Sequence, residues 1–196
     1  MENTNSAYEA RMLVSRICFE PAIRPRLGEL YDRLPKTFGH SIDVAYLAGE
    51  VACELELDYA EDIVRGALLH DIGKLRVPYD LLMAARKLTI EEKAILQAHS
   101  FESYEMIKDD PAFSDIVKDI ALYHHERQDG SGYPEGKSSK DLKKAVKIVT
   151  VCDIYDAMTH KRPYRKAFNA FEALNLMMTE PVDRSILKIL KECPDR

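Results

Sequence analysis

Apolar and polar positions follow a helical period along most of the chain. Ile42, Ala45, Leu47, Ala48, Val51, Ala52 and Leu55 recur at spacings that place them on one face of a helix. Ile63, Val64, Ala67, Leu68 and Ile72 form a second set. Ile116, Val117, Ile120 and Ala121 form a third, which runs into His124 and His125. Ala7 to about Phe19 is weakly helical, and Met1 to Asn5 reads as disordered. Pro21, Pro25 and Pro35 punctuate the next stretch, which predicts a helix, a loop and a short helix before Pro35. Thr89 with Glu92 reads as a capping box that opens a helix through Lys108, and Asp109-Asp110-Pro111 ends it.

The stretch from Leu142 to Met158 is apolar and partly β-branched, a pattern that alone fits a strand. Its length, and the lack of a second strand-like run to pair with it, favour a buried helix. Phe171 to Met178 and Ile186 to Leu190 add two helices separated by Pro181. From about Gln128 to Ser139 runs a loop with three glycines and Pro134. The sum is an all-α chain without repeats or a low-complexity linker.

Composition narrows the function classes. The chain has 196 residues, 46% of them apolar, enough for one domain with a sizeable core. A formal charge of -5 argues against non-specific nucleic-acid binding, so no DNA partner is expected. A small anion remains compatible, because a site can be locally positive inside an acidic protein. No signal peptide and no bilayer-length apolar run is found, so no membrane partner and a cytoplasmic location are expected. Cys18, Cys53, Cys152 and Cys193 are scattered without a CxxC pair, which fits free thiols in a reducing compartment and excludes a zinc finger. No GxSxG elbow supports a serine hydrolase.

The candidate chemistry lies in the histidines. His70 is followed directly by Asp71, His124 by His125, and Asp153 lies in an otherwise apolar helix. A lone helical histidine is ordinarily a core or surface residue. The same pattern at five places changes that reading, because buried polar groups are costly unless partnered and one metal partners many of them. Imidazole and carboxylate donors suit iron, manganese, zinc, cobalt or nickel. The two oxygens of Asp71 can bridge two ions about 3.5–4 Å apart, a spacing that stabilises the attacking and leaving oxygens of a phosphate ester. Lys74 lies three residues beyond Asp71, on the same face of a helix, where an ammonium makes sense against a phosphate.

These motifs resemble a known family. His70-Asp71-Ile72-Gly73-Lys74 is similar to the signature of the HD superfamily of metal-dependent phosphohydrolases. The string His124-His125-Glu126-Arg127-Gln128-Asp129-Gly130-Ser131-Gly132-Tyr133-Pro134 resembles the defining loop of its HD-GYP branch. Asp153-Ile154-Tyr155-Asp156-Ala157-Met158-Thr159, then Arg162-Pro163-Tyr164-Arg165-Lys166-Ala167, matches a third block. His40-Ser41 and Gln97-Ala98-His99-Ser100 resemble the remaining histidine blocks, so the likeness runs from about Thr37 to Ala167.

The resemblance implies an HD-domain helical bundle with short N-terminal helices and a GYP loop. Residues 1–35 would be an N-terminal helical extension and 36–196 the HD-GYP catalytic domain. It implies hydrolysis of cyclic di-GMP, a bacterial second messenger, to linear pGpG, with further cleavage to GMP left open. His40, His70, Asp71 and Asp153 would hold one divalent metal. Asp71, His99, His124 and His125 would hold the other, with a bridging hydroxide as nucleophile. Iron or manganese is expected first, with zinc, cobalt and nickel as alternatives. Lys74 would contact the scissile phosphate, and Tyr133, Arg162 and Arg165 other parts of the dinucleotide. Asp71 and Lys74 are thus the catalytic candidates.

Other positions read differently. His160, where the family usually has a small polar residue, reads as a surface histidine, and Asp156 as a structural group beside the ligands. Glu126 and Asp129 either orient ligand histidines or cap the loop. Some family members hold a third metal through a glutamate one turn before the first histidine; here that position is Lys36, which predicts two metals and favours pGpG as product. Asp43 replaces a frequent arginine, and Ser139 and Lys143 replace a glycine and a proline after the loop. Without an attached receiver or sensor domain, regulation is expected from a signalling-protein partner, the N-terminal helices or expression level; a homodimer is left open. Alternatives are a relative acting on cyclic GMP-AMP or a linear dinucleotide, and a weakly active nucleotide-binding sensor. An oxygen-activating di-iron enzyme is a further one, against which the GYP loop argues.

Overall fold

Small residues on one helix set the architecture. α3 (Pro35–Glu54) buries Val44, Ala45, Ala48, Gly49, Val51 and Ala52. A Cβ added at Gly49 would lie 3.1 Å from Val64 Cγ2 and 3.3 Å from Ala10 Cβ, so the bare glycine lets two helices approach closely. Those helices are α1 (Asn3–Ile17) and α4 (Ala60–Leu69). α2 (Arg24–Arg33) also packs on α3 and contributes Leu27 and Leu30 to the same core. In the computed structural model, residues 3–160 and 167–192 are described.

A 3-10 turn, Ile72–Arg76, follows α4, and a one-turn helix α5 (Tyr79–Leu82) follows that. Then come α6 (Ile90–Gln97), α7 (His99–Glu105) and α8 (Asp115–Tyr123). α9 (Lys144–Thr159), α10 (Ala170–Met177) and α11 (Arg184–Glu192) complete the described residues, among which no strand occurs. α9 is buried on every side through Val146, Ile148, Val149, Val151, Cys152 and Tyr155, as expected of a helix with no polar face. It packs against α3, α4 and α8, the helices that carry or precede His40, His70 and His124.

Three local expectations are corrected. The helix expected from Thr89 through Lys108 is two helices, broken at Ala98, whose ψ is −13°. At the break, His99 Nδ1 meets the Leu96 carbonyl at 2.7 Å. The capping box itself is present, with Glu92 N donating to Thr89 Oγ1 at 3.2 Å and Thr89 N to Glu92 Oε2 at 2.9 Å. Asn3 to Asn5, read as disordered, open α1; Met1 and Glu2 lie outside the described residues. Asp71 to Lys74 sits on a 3-10 turn rather than an α-helix, and a three-residue spacing stays on one face there as well.

Cys18, Cys53 and Cys152 form no disulfide among the described residues, where Cys193 does not fall. No described helix is long and apolar enough to cross a membrane.

Candidate metal centre

Three of the histidines occupy equivalent local positions. His70 follows α4, His99 follows α6 and His124 follows α8, each just past a helix end. In each, Nδ1 meets the carbonyl three residues earlier: Ala67 at 2.7 Å, Leu96 at 2.7 Å and Ala121 at 3.0 Å. The last carbonyls of a helix lack intrahelical partners, so they accept readily. A carbonyl only accepts, so Nδ1 must carry the proton and Nε2 is left as a bare lone pair. That is the tautomer a metal ligand needs. The pairing is reinforced from outside: Ser103 Oγ donates to the His70 carbonyl at 2.7 Å and accepts from Gly73 N at 2.8 Å. Thr150 Oγ1 donates to the His124 carbonyl at 2.9 Å.

The Nε2 atoms converge on Asp71, which is 1% exposed. Oδ1 lies 3.2 Å from His99 Nε2 and 4.0 Å from His124 Nε2. Oδ2 lies 3.5 Å from His70 Nε2 and 3.8 Å from His40 Nε2. Each carboxylate oxygen therefore faces a different histidine pair. His125 joins the first set, with Nε2 3.1 Å from His99 Nε2. Asp153 joins the second, with Oδ1 3.0 Å from His40 Nε2. The expected ligands thus fall into two groups whose ligand atoms lie within 4.8 Å of one another: Asp71, His99, His124 and His125, and His40, His70 and Asp153.

The donor set fits divalent metals on two observations. His70 Nε2 is buried with no hydrogen-bond partner, and Asp71 Oδ1 likewise makes no hydrogen bond despite its nearness to His99. His99 Nε2 lies 3.3 Å from His124 Nε2, so two lone pairs confront one another, and His125 Nε2 lies 3.1 Å from the same atom. Ligands about 2.1 Å from one ion are separated by about 3.0 to 4.2 Å, the range found here.

Protonation follows the same logic. Burial, then the neighbouring imidazoles, pushes His124 well below the usual histidine range. Burial likewise lowers His70, and lowers His125 to about 3. Burial alone would raise Asp71 and Asp153. The Lys74 ammonium and the surrounding imidazoles for Asp71, and the His40 hydrogen bond for Asp153, more than offset it and hold both well below the carboxylate range. His40 is the exception: burial lowers it, but hydrogen bonds with Asp153 and Asp156 outweigh that and hold it at about 10. Its Nδ1 donates to Asp156 Oδ2 at 2.6 Å.

Lys74 Nζ donates to Asp71 Oδ2, placing a positive charge on the oxygen that faces His40 and His70. Tyr133 is stacked on His125 and is held by the loop; Tyr133 N donates to His125 O at 3.3 Å. Gly132 is required there, because its Cβ would meet the Glu126 backbone at 2.4 Å. Glu126, completely buried, accepts from Glu135 N at 2.7 Å and Lys137 N at 3.0 Å, so it caps the loop. Asp129 accepts from Ser131 N and Oγ within the loop and meets no ligand histidine there. Lys36 is exposed one turn before His40. His160 is exposed, as read from sequence, yet it contacts Asp43 and Asp156. Arg162 and Arg165 lie outside the described residues.

Sequence reasoning missed Ser103 and Thr150, which hold histidine carbonyls rather than histidine rings. Serine and threonine are too common on helices for their spacing to signal that.

Comparison with known proteins agrees with this geometry. The chain is 41% identical over 145 residues to a cyclic di-GMP phosphodiesterase of Pseudomonas aeruginosa, covering 72% of this chain and 34% of the relative. It is 37% identical over 153 residues to a 3'3'-cGAMP-specific phosphodiesterase of Vibrio cholerae, covering 76% of this chain and 33% of the relative. The chain therefore spans about a third of the length of these relatives. A solved HDG"Y"P protein from Bdellovibrio bacteriovorus shares the fold, with a TM-score of 0.68 at 20% identity over 97% of this chain and 64% of that one. The sequence model of the HD domain matches residues 28–185, a span that contains every histidine and aspartate of the centre, and so the chain belongs to the HD domain family, in its HD-GYP branch.

Proposed function

We propose that this chain is a two-metal phosphodiesterase that opens cyclic di-GMP to linear pGpG. The observation that carries the reading is the division of Asp71, whose Oδ2 faces His40 and His70 while Oδ1 faces His99 and His124. One carboxylate between two imidazole sets is the arrangement a paired-ion centre needs. His40, His70, Asp153 and Asp71 would hold the first ion, and His99, His124, His125 and Asp71 the second. Iron and manganese suit this mixture of imidazole and carboxylate. When bound, such ions activate water near neutral pH and stabilise the attacking and leaving oxygens of an in-line displacement.

The chain's own residues supply the rest. The i−3 carbonyls keep Nε2 of three histidines deprotonated and aimed inward. Lys74 is bonded to Asp71 and close enough to exchange that carboxylate for a substrate phosphate. Tyr133, half-buried over His125, offers a ring face to a base and a neutral hydroxyl to the dinucleotide. Arg162 and Arg165 are assigned to the phosphates or guanine edges on the family resemblance. Lys36 in place of a glutamate supports two ions and a linear product.

A second substrate is favoured by a specific observation, the 37% identity to a relative named as 3'3'-cGAMP-specific. The test is turnover by the manganese- or iron-loaded chain on cyclic di-GMP, 3'3'-cGAMP and cyclic di-AMP in parallel, with products separated by chromatography. Fastest conversion of cyclic di-GMP to pGpG is expected. Preference for 3'3'-cGAMP would transfer the assignment, and rapid accumulation of GMP would overturn the product.

A further inference from the structure

Two buried hydroxyls reach across the molecule rather than along their own helices. A serine or threonine in a helix commonly bonds a carbonyl three or four residues back. Ser100, Thr159 and Thr179 do so here, on Gln97, Tyr155 and Leu176. Ser103 and Thr150 do not. Ser103 Oγ, on α7, donates to the His70 carbonyl at 2.7 Å, across 33 residues of chain. Thr150 Oγ1, on α9, donates to the His124 carbonyl at 2.9 Å, across 26 residues. Ser103 is completely buried and Thr150 is 5% exposed.

The placement of the two bonds is reciprocal. Ser103 follows His99 on α7, one helical turn on, so it rides on the element that carries one ligand group of the inner centre, and it holds His70 of the other. Thr150 precedes Asp153 on α9, and it holds His124 of the group to which Asp153 does not belong. Each hydroxyl therefore ties one ligand group to the other from outside, as Asp71 joins them from inside. Ser103 also accepts from Gly73 N at 2.8 Å, so it grips the His70-Asp71 turn at both ends. The close approach is built into the backbone there, since a Cβ at Gly73 would lie 2.4 Å from Ser103 N. A donor from any neighbouring element would satisfy two buried carbonyls. These two donors come from the helices of the opposite ligand group.

We infer that Ser103 and Thr150 are positioning residues that set the separation and mutual orientation of the two ligand groups. Each acts through the backbone of a ligand histidine, and the ring follows, because Nδ1 stays bonded to the carbonyl three residues earlier. Removing a hydroxyl leaves both ligand groups present but lets one shift against the other. A misplacement of about 1 Å at a reacting centre can cost about 100-fold in rate. The inference rests on the two-metal reading of the inner centre and not on the choice of substrate.

The test uses the full chain loaded with manganese alone. Bound equivalents are counted, and the magnetic coupling of the paired ions is read by electron paramagnetic resonance before substrate is added. Thr150→Val keeps the shape of the side chain and loses the hydroxyl, whereas Thr150→Ser keeps the hydroxyl and loses a methyl. Thr150→Val and Ser103→Ala are expected to hold two equivalents at saturating manganese with altered coupling. On cyclic di-GMP, their kcat is expected to fall about 10- to 100-fold with little change in KM. Thr150→Ser is expected to restore both coupling and rate. A packing role predicts the reverse order, with Thr150→Val like the unsubstituted chain and Thr150→Ser impaired. That order, or unchanged coupling in both Thr150→Val and Ser103→Ala, overturns the inference. An unsubstituted chain that binds fewer than two equivalents removes the two-metal reading and the inference with it. Two coupled ions without turnover of cyclic di-GMP remove the proposed substrate alone, and the coupling comparison then decides the inference by itself.

Discussion

The Tyr133 ring lies stacked on the His125 imidazole, with centroids 4.6 Å apart and planes at 27°. It is also 6.5 Å from the His99 ring, at the edge of the same histidine group. Burial, then the charges of Asp71 and Asp153, pushes its phenol up, so the hydroxyl stays neutral and able to donate. Base–aromatic stacking contributes about 1–3 kcal/mol, so Tyr133→Ala should raise KM by about 5- to 150-fold. Metal content should not change, because the role proposed for Tyr133 is to hold the substrate rather than an ion. Tyr133→Phe, which keeps the ring, should lose much less. Steady-state kinetics with parallel metal counts decides the matter; equal KM for all three proteins would remove Tyr133 from the site.

Glu126 places that tyrosine. Its two carboxylate oxygens cap Glu135 N and Lys137 N from a completely buried position. Glu126→Ala strands both amides, at a cost of about 1–3 kcal/mol for each donor left without a partner. Glu126→Gln keeps one acceptor oxygen and should lie between. Thermal melts should show the graded loss, and KM should rise in the same order as the loop lets Tyr133 move off His125.

Asp156 holds His40 in place through the 2.6 Å bond to Nδ1. Replacing such an outer carboxylate typically weakens metal affinity about 10–100-fold. Asp156→Asn should therefore shift the manganese activation curve to higher concentration by about that factor, with the plateau rate largely recovered. A plateau that stays low at saturating metal would assign Asp156 a different role.

Gly73 links the His70-Asp71 turn to α7. A Cβ there would lie 2.1 Å from the His99 carbonyl oxygen and 2.4 Å from Ser103 N, both backbone atoms that have little room to give. Gly73→Ala must displace α7 and with it His99. Overpacking of this kind costs about 1–3 kcal/mol, and the melting temperature should fall accordingly. Metal at the inner centre should drop from two equivalents toward one, because His99 belongs to only one ligand group. Unchanged metal content would show that α7 yields without moving the histidine.

Much of the centre was legible in the chain because metal-ligating types are rare. Five histidines and two aspartates beside apolar helical runs stand out against a hydrophobic pattern, and the structure gathers these residues into two groups. The helices were legible for the same reason, since Ile42 to Leu55 and Ile63 to Ile72 repeat on one face. The break at Ala98 was not, because the helical pattern runs through it without a proline or glycine to mark it. The pairing of His160 with Asp43 and Asp156 was equally hidden, since only the packing of α3 against α9 brings positions 43 and 160 together.

The most direct test of the account is a turnover assay on the fully metallated chain, beside Asp71→Ala. The unsubstituted chain should carry metal at the inner centre and convert cyclic di-GMP to pGpG. Asp71→Ala, without the carboxylate that faces both histidine groups, should lose the inner ions and all turnover. A fully metallated chain that leaves cyclic di-GMP intact, or an Asp71→Ala variant that still cleaves it, would contradict the account.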